Sequence, residues 1–154
     1  MARDDENLTA PYVLEYKYRR SCGPVVGRFL AALKDGRLEG VRAADGRVIV
    51  PPTEYDEHGE PTGEPVALAP TGTVTAWSWV AAPRANHPLA RPFAWALVKL
   101  DGADTALLHA VDAVEESRMK TGARVRARFA AADERVGHIR DLACFELLPG
   151  DAHE

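Results

Sequence analysis

Cysteine is scarce in this 154-residue chain: there are two, Cys22 and Cys144, far apart in sequence. Neither belongs to a CxxC pair or to a Cys/His spacing that seats zinc, so the spacing supports no structural zinc and both thiols are expected to be free. No run approaches the roughly 18 apolar residues of a membrane span. The first seven residues, Met-Ala-Arg-Asp-Asp-Glu-Asn, are acidic and polar where a signal peptide needs a basic start and an apolar stretch, so a cytoplasmic protein is expected. An excess of positive charge is missing as well. Nineteen basic against twenty-three acidic residues give a formal charge of −4 and a pI near 5.7, which provides no global field to recruit nucleic acid or anionic membrane. Phosphate cradles of the GxxxxGK[ST] or GxGxxG type and the catalytic patterns GxSxG and HExxH are absent, leaving nucleotide-dependent, serine-hydrolase and zinc-protease chemistry unsupported. What is present is ordinary globular material: 46% hydrophobic and 27% charged residues in 16.7 kDa, enough for one core.

Along the chain, Pro11 to Tyr18 alternates apolar and polar positions, and three tyrosines in seven residues predict a packed arm. Ser21 as N-cap, Pro24 in the first turn and Gly36 as a stop delimit an amphipathic helix whose stripe is Val25, Phe29 and Leu33, with Val26 and Leu30 beside it. The stripe either docks another subunit or covers the protein's own sheet. Asp45-Gly46 between two strand-like runs predicts a hairpin, ended by Pro51-Pro52. Thr53 to Glu64 holds five carboxylates and almost nothing apolar, and is expected to be an exposed loop.

From Thr71 the period becomes two. The alternation in Thr73 to Val80 places Thr73, Thr75, Trp77 and Trp79 on one face and Val74, Ala76 and Val80 on the other. Pro92 to Leu100 and Thr105 to Val111 flank a turn at Asp101-Gly102, and two further strands are expected at Ala123–Phe129 and Leu142–Leu147. A mainly β protein follows, with a five-stranded OB-type barrel preceded by a helix and a small hairpin. The expected divisions are a tail and arm (1–20), helix (21–36), hairpin (37–69), barrel (70–149) and tail (150–154).

Several short motifs, in order, resemble a known family: Gly23-Pro24 through Phe29; Gly46-Arg47-Val48 followed by Pro51-Pro52; Gly72-Thr73-Val74; Arg91-Pro92-Phe93; Met119-Lys120-Thr121-Gly122 with Arg124-Val125-Arg126; and Cys144-Phe145-Glu146. Over roughly residues 20–148 the chain resembles the acyl-CoA-associated OB-fold proteins, which combine a helix, a rubredoxin-like zinc ribbon and an OB barrel. That family's ribbon carries two CxxC knuckles. Here the matching positions are Arg42 and Asp45, then Asp56 and Gly59, so no thiolate remains, and Asp45, Asp56 and His58 would make a poor substitute beside Arg42. A degenerate, metal-free hairpin is expected, held by Val48, Ile49, Val50 and Tyr55 and dependent on its neighbours for order. The resemblance implies a non-catalytic accessory subunit of a thiolase-like enzyme, such as a lipid-transfer-protein-type aldolase of steroid side-chain degradation. It implies no cofactor of the chain's own, with a coenzyme A thioester at the partner interface.

The candidate contacts for that partner or for acyl-CoA are Arg28, Phe29 and Leu33 on the helix, Trp77 and Trp79, and the stripe Arg124, Arg126 and Arg128. The arginines alternate with Val125, Ala127 and Phe129, so one strand face carries three guanidinium groups. They suit a solvated face, coenzyme A phosphates or partner carboxylates. With the tryptophans they also suit single-stranded nucleic acid, the second functional reading. A third is a stand-alone acyl-CoA enzyme using Cys22, whose place before a helix favours thiolate. It lacks a base, since His58, His87, His109, His138 and His153 are scattered. His109, in an apolar run, is either a base on the barrel face or a hydrogen-bonded or surface-facing strand residue.

Overall fold

A computed structural model describes residues 9–149. The tail expected at 150–154, His153 and the acidic start of the chain lie outside the described residues.

The helix α1 spans Gly23–Lys34. Pro24 stands in its first turn, where a missing N–H costs nothing. Ser21 is not the N-cap: Cys22 occupies that position without a side-chain capping bond, and Ser21 Oγ instead accepts the Gly23 N–H at 3.2 Å. At the other end Gly36, at φ +73°, donates to Leu33 O and Arg37 N–H reaches Ala32 O, each at 2.9 Å. These are the paired bonds of a Schellman stop, which needs a left-handed residue and therefore favours glycine.

Three strands follow: β1 (Leu38–Arg42), β2 (Val48–Ile49) and β3 (Pro65–Leu68), in the order β2-β1-β3. The expected hairpin is there, turning at Gly46 with φ +88°. It gains a third strand, because Val66 and Ala67 pair with Gly40 and Glu39. Val48 and Val50 are buried, whereas Tyr55 is exposed and does not hold the hairpin. The barrel does. Asp104 Oδ2 accepts Val48 N–H at 2.8 Å, Thr105 Oγ1 accepts Val50 N–H at 2.7 Å, and Val48 and Val50 carbonyls accept in return from Asp104 N–H and the Thr105 hydroxyl. A short strand with few apolar residues is thus fixed by a turn of the next unit.

Five strands form a closed barrel: β4 (Thr71–Val80), β5 (Phe93–Leu100), β6 (Leu107–Asp112), β7 (Arg124–Phe129) and β8 (Leu142–Leu147), in the order β4-β5-β6-β8-β7. β6 and β8 run parallel and the other pairs antiparallel. This is the expected mainly β, OB-type arrangement, with short turns at Gly102 and Gly122, both at positive φ.

One strand departs from simple alternation. The β4–β5 register shifts between Val74 and Ala76, a bulge at Thr75. An extra residue exchanges the two parities, so Val74 before the bulge and Trp77 and Trp79 after it all pack on the same core, while Ala76 is exposed. The expectation that both tryptophans lie opposite Val74 fails for this reason. The core is continuous from Phe29 and Leu33 of α1, through Leu38 and Val50 of the small sheet, to Val98, Val111, Val125 and Phe145 of the barrel. On the outside of β5, β6 and β8 a smaller cluster gathers Phe93, Ala110 and Cys144, with Trp95 and Leu89 against it.

Candidate functional site

The N-terminal arm is the largest departure from the sequence expectation. Residues 9–22 form no regular element, and Tyr12, Val13, Leu14, Tyr16 and Tyr18 are between 63% and 82% exposed. These are five large apolar or aromatic side chains in water within seven residues. The alternation visible in the sequence is that of a strand, but no sheet edge among the described residues receives it.

On the helix, Phe29 and Leu33 are buried within the protein's own core, so the stripe covers its own sheet and these two side chains are not available to a partner. Arg28 remains at the surface. Together with Arg37 it holds the buried Glu39 carboxylate, with Arg28 Nε at 3.3 Å from Oε2 and Arg37 Nη1 on Oε1. Arg28 and Glu39 line a cleft of about 190 Å³ between α1 and β1, with Pro24 and Val25 on one wall. The Arg37 guanidinium is held in its charged state by hydrogen bonds to Asp35 and then Glu39.

The arginine stripe is exposed as expected, but its members differ. Arg124 grips Asp101 with two bonds, 2.7 and 2.6 Å, and also reaches Thr73 Oγ1. That grip, with a bond from the Thr71 hydroxyl, lowers the Asp101 carboxyl to about 2. Arg128 donates to Glu146 Oε1 at 2.8 Å and to Cys144 Sγ at 3.0 Å. Arg126 makes no ion pair among the described residues, and is the stripe's one guanidinium left for an outside anion. Trp77 and Trp79 are half-buried against the core. The structure therefore does not bring tryptophans and arginines together on one face as a single-stranded nucleic-acid groove requires.

Next to Arg128 is a charged cluster that sequence reasoning missed. Asp112 at the end of β6 has its side chain almost wholly buried; Arg91 binds its Oδ2, Arg128 Nη2 lies 3.7 Å from the same oxygen, and Oδ1 is without a partner. Asp112, Cys144 and Glu146 bring one ligand-type atom each within 4.8 Å of one another. The Arg128 guanidinium already lies among them, so the positive charge there belongs to the chain. Burial pushes the Cys144 thiol up and the neighbouring Arg128 pulls the other way, leaving it raised, which suits a structural thiol rather than a nucleophile. The sequence offered Arg91-Pro92-Phe93, Arg128 and Cys144-Phe145-Glu146 as separate signals, and nothing in it joined them to Asp112.

The catalytic candidates are dispersed. Cys22 is exposed at the head of α1. His58 is exposed in the loop after β2, His138 caps a 3₁₀ turn by accepting Arg140 N–H at 3.1 Å, and His87 packs edge-on against Phe93 and Trp95. His109 is buried in the barrel wall beside Phe145, and burial lowers its pKa, against the raising effect of backbone groups at Ala110 and Ile139. It is not surface-facing; its Nδ1 has no partner, while backbone groups of Ala110 and Ile139 hydrogen-bond the ring, in keeping with the expected hydrogen-bonded strand residue. Asp45 is bound by Arg47, and Asp56 closes its own turn by accepting from His58 and Glu60 N–H groups, so these carboxylates serve the loop.

A five-stranded barrel with a parallel β6–β8 closure, carrying a helix and a three-stranded sheet at its N-terminal side, is an OB-fold protein. More narrowly, residues 65–130 match the family model for the ChsH2 C-terminal OB-fold domain. No curated protein matches the sequence. Among solved structures, the chain is similar to the Ltp2-ChsH2(DUF35) aldolase, with a TM-score of 0.62 and 21% identity over 84% of this chain and 98% of that one. It is also similar to a DUF35-family protein of unknown function from Sulfolobus solfataricus, with a TM-score of 0.57 and 19% identity over 82% and 83%. At these identities the likeness is one of fold.

Proposed function

We propose that this chain is a non-catalytic accessory subunit that binds a thiolase-like enzyme acting on acyl-CoA, an aldolase of steroid side-chain degradation, and helps to order its acyl-CoA site. The observation that carries the reading is the extent of the shared fold. The likeness extends over 84% of this chain and 98% of the chain it matches in the Ltp2-ChsH2(DUF35) aldolase. The exposed aromatic arm supports it, as does the dispersal of Cys22 and the histidines, which assembles no nucleophile and base. The small sheet is read as a zinc ribbon that has lost its thiolates, since Arg42, Asp45, Asp56 and Gly59 cannot supply a zinc site and hydrogen bonds to Asp104 and Thr105 fix it instead.

The test is co-expression of the full chain with thiolase-fold aldolases of its own genome, read by light scattering on a sizing column and by retro-aldol cleavage of an acyl-CoA thioester. A hetero-oligomer whose activity needs this chain is expected. Deleting residues 9–20 should abolish the complex and leave the melting temperature of the isolated chain unchanged. A chain that changes neither the size nor the activity of that enzyme overturns the reading.

A further inference from the structure

We infer that the outer face of the barrel across β4, β5 and β6 is a docking surface for an acidic amphipathic helix of the thiolase-like partner. The inference rests on the reading of this chain as an accessory subunit, and adds which face meets the partner and what chemistry that face takes.

The outer side of an antiparallel barrel strand meets water, and alternation ordinarily makes it polar. One cross-strand row here is not. Ala76 lies opposite Leu97, and Leu97 opposite Leu108, so apolar side chains from three strands stand in line. Leu97 is 40% and Leu108 59% exposed. The row floors a hollow of about 230 Å³ that Trp77, Ser78 and Trp95 complete. Trp95 and Leu108 also wall a second hollow of about 460 Å³ beside His109, which runs on to Ile139 and Arg140. This second hollow opens because β6 and β8 pair only at Val111 with Phe145 and Asp112 with Glu146, and part on the His109 side. Joined through two shared side chains, the hollows form one groove that crosses the strands, about 14 Å long at the usual strand spacing. Contiguous exposed apolar surface with a polar rim marks an interaction site.

Backbone pairing and charge choose the occupant. From Ala94 to Val98 the floor strand β5 is paired with both β4 and β6, so it offers no free N–H or C=O to an extended peptide. A segment laid there must satisfy its own backbone, which an α-helix does. Helix side chains at i, i+3 and i+4 stand about 5–6 Å apart, close to the spacing of the Ala76–Leu97–Leu108 row. The charge is one-sided. No Asp or Glu lines either hollow, whereas Lys99, two residues beyond Leu97 on the same face, and Arg140 at the far rim are exposed and make no ion pair among the described residues. The helix that fits carries carboxylates beside its apolar stripe. Among the described residues this chain has none to offer a second copy: α1 is the one α-helix, Phe29 and Leu33 of its stripe are buried in its own core, and it contains no acidic residue. The exposed arm is unsuited as well, because Lys17, Arg19 and Arg20 accompany its tyrosines and would meet Lys99 and Arg140 with like charge.

The experiment uses the full chain co-expressed with its thiolase-fold aldolase, with affinity read by calorimetry on the purified pair. Leu97→Ser combined with Leu108→Ser should weaken the complex by roughly tenfold or more, as expected when central apolar anchors are truncated. Lys99→Gln and Arg140→Gln should weaken it less and flatten its dependence on salt. All four positions are exposed, so melts of the variants followed by circular dichroism should overlay those of the parent. Leu108→p-benzoylphenylalanine should cross-link on illumination to an aldolase helix that bears carboxylates beside its apolar residues. A parental complex that forms and is unmoved by the double leucine variant overturns the docking face and leaves the accessory role standing. So does a cross-link to a basic or extended segment, or between two copies of this chain. A parental chain that forms no complex overturns both.

Discussion

Asp112 is where the barrel's closure can be tested most directly. Its side chain is 3% exposed, at the point where β6 meets β8, and it holds Arg91 from the β4–β5 loop and Arg128 from β7. Removing one partner of a fully buried ion pair costs about 3–5 kcal/mol because the other charge is stranded. Here the two arginine side chains are 59% and 44% exposed, so they rehydrate when the carboxylate is lost and that penalty does not apply in full. What remains is a charge-assisted bond, about 1.5–3 kcal/mol, less the relief of removing the unpartnered Oδ1. Asp112→Ala should therefore lower the unfolding free energy by about 2 kcal/mol, equivalent to about 4–8 °C in melting temperature for a chain of this size. Urea titration and thermal melts followed by circular dichroism measure both. Asp112→Asn, which keeps the shape but not the charge, should lose most of the same amount. An Asn variant as stable as the parent would refute the argument that the arginines are what hold this end of the barrel.

Two further outcomes follow from buried groups. Burial holds the His109 imidazole below its ordinary 6.5, so the unfolded chain takes up its proton first as pH falls. Its contribution to stability is fully present above about pH 6.5 and is lost as pH falls through the folded-state value; urea midpoints at pH 5 and 8 should differ, and His109→Leu should reduce that difference. Gly72 has no room for a side chain, since a Cβ there would lie 2.6 Å from the Lys99 carbonyl oxygen across the β4–β5 ladder. Gly72→Ala should destabilise by about 1–3 kcal/mol as the strands are forced apart, whereas Gly46→Ala, with open space around it, should show only the smaller strain of its turn.

Strand periodicity, the Asp-Gly turns and the Pro-to-Gly limits of the helix are local properties, and they place α1 and the five barrel strands within about two residues of where they lie. The apolar stripe through Phe29 and Leu33 was equally legible, but not what it covers: a stripe is the same in sequence whether its partner is another subunit or the chain's own sheet. The bulge at Thr75 is a mismatch between two strands, so nothing in β4 alone discloses that Trp77 and Trp79 turn to the side of Val74. The Asp112 cluster draws on β6, β7, β8 and the β4–β5 loop, and the anchoring of the small sheet on Asp104 and Thr105 joins residues more than fifty positions apart. The cavity beside His109 arises because two parallel strands pair over only part of their length. Sequence by itself determined which segments are strand or helix and that no thiolate ribbon is possible, because those follow from neighbouring residues. Which side chains are buried, paired or left open for a ligand was decided by barrel closure, which brings together residues from strands distant in the chain.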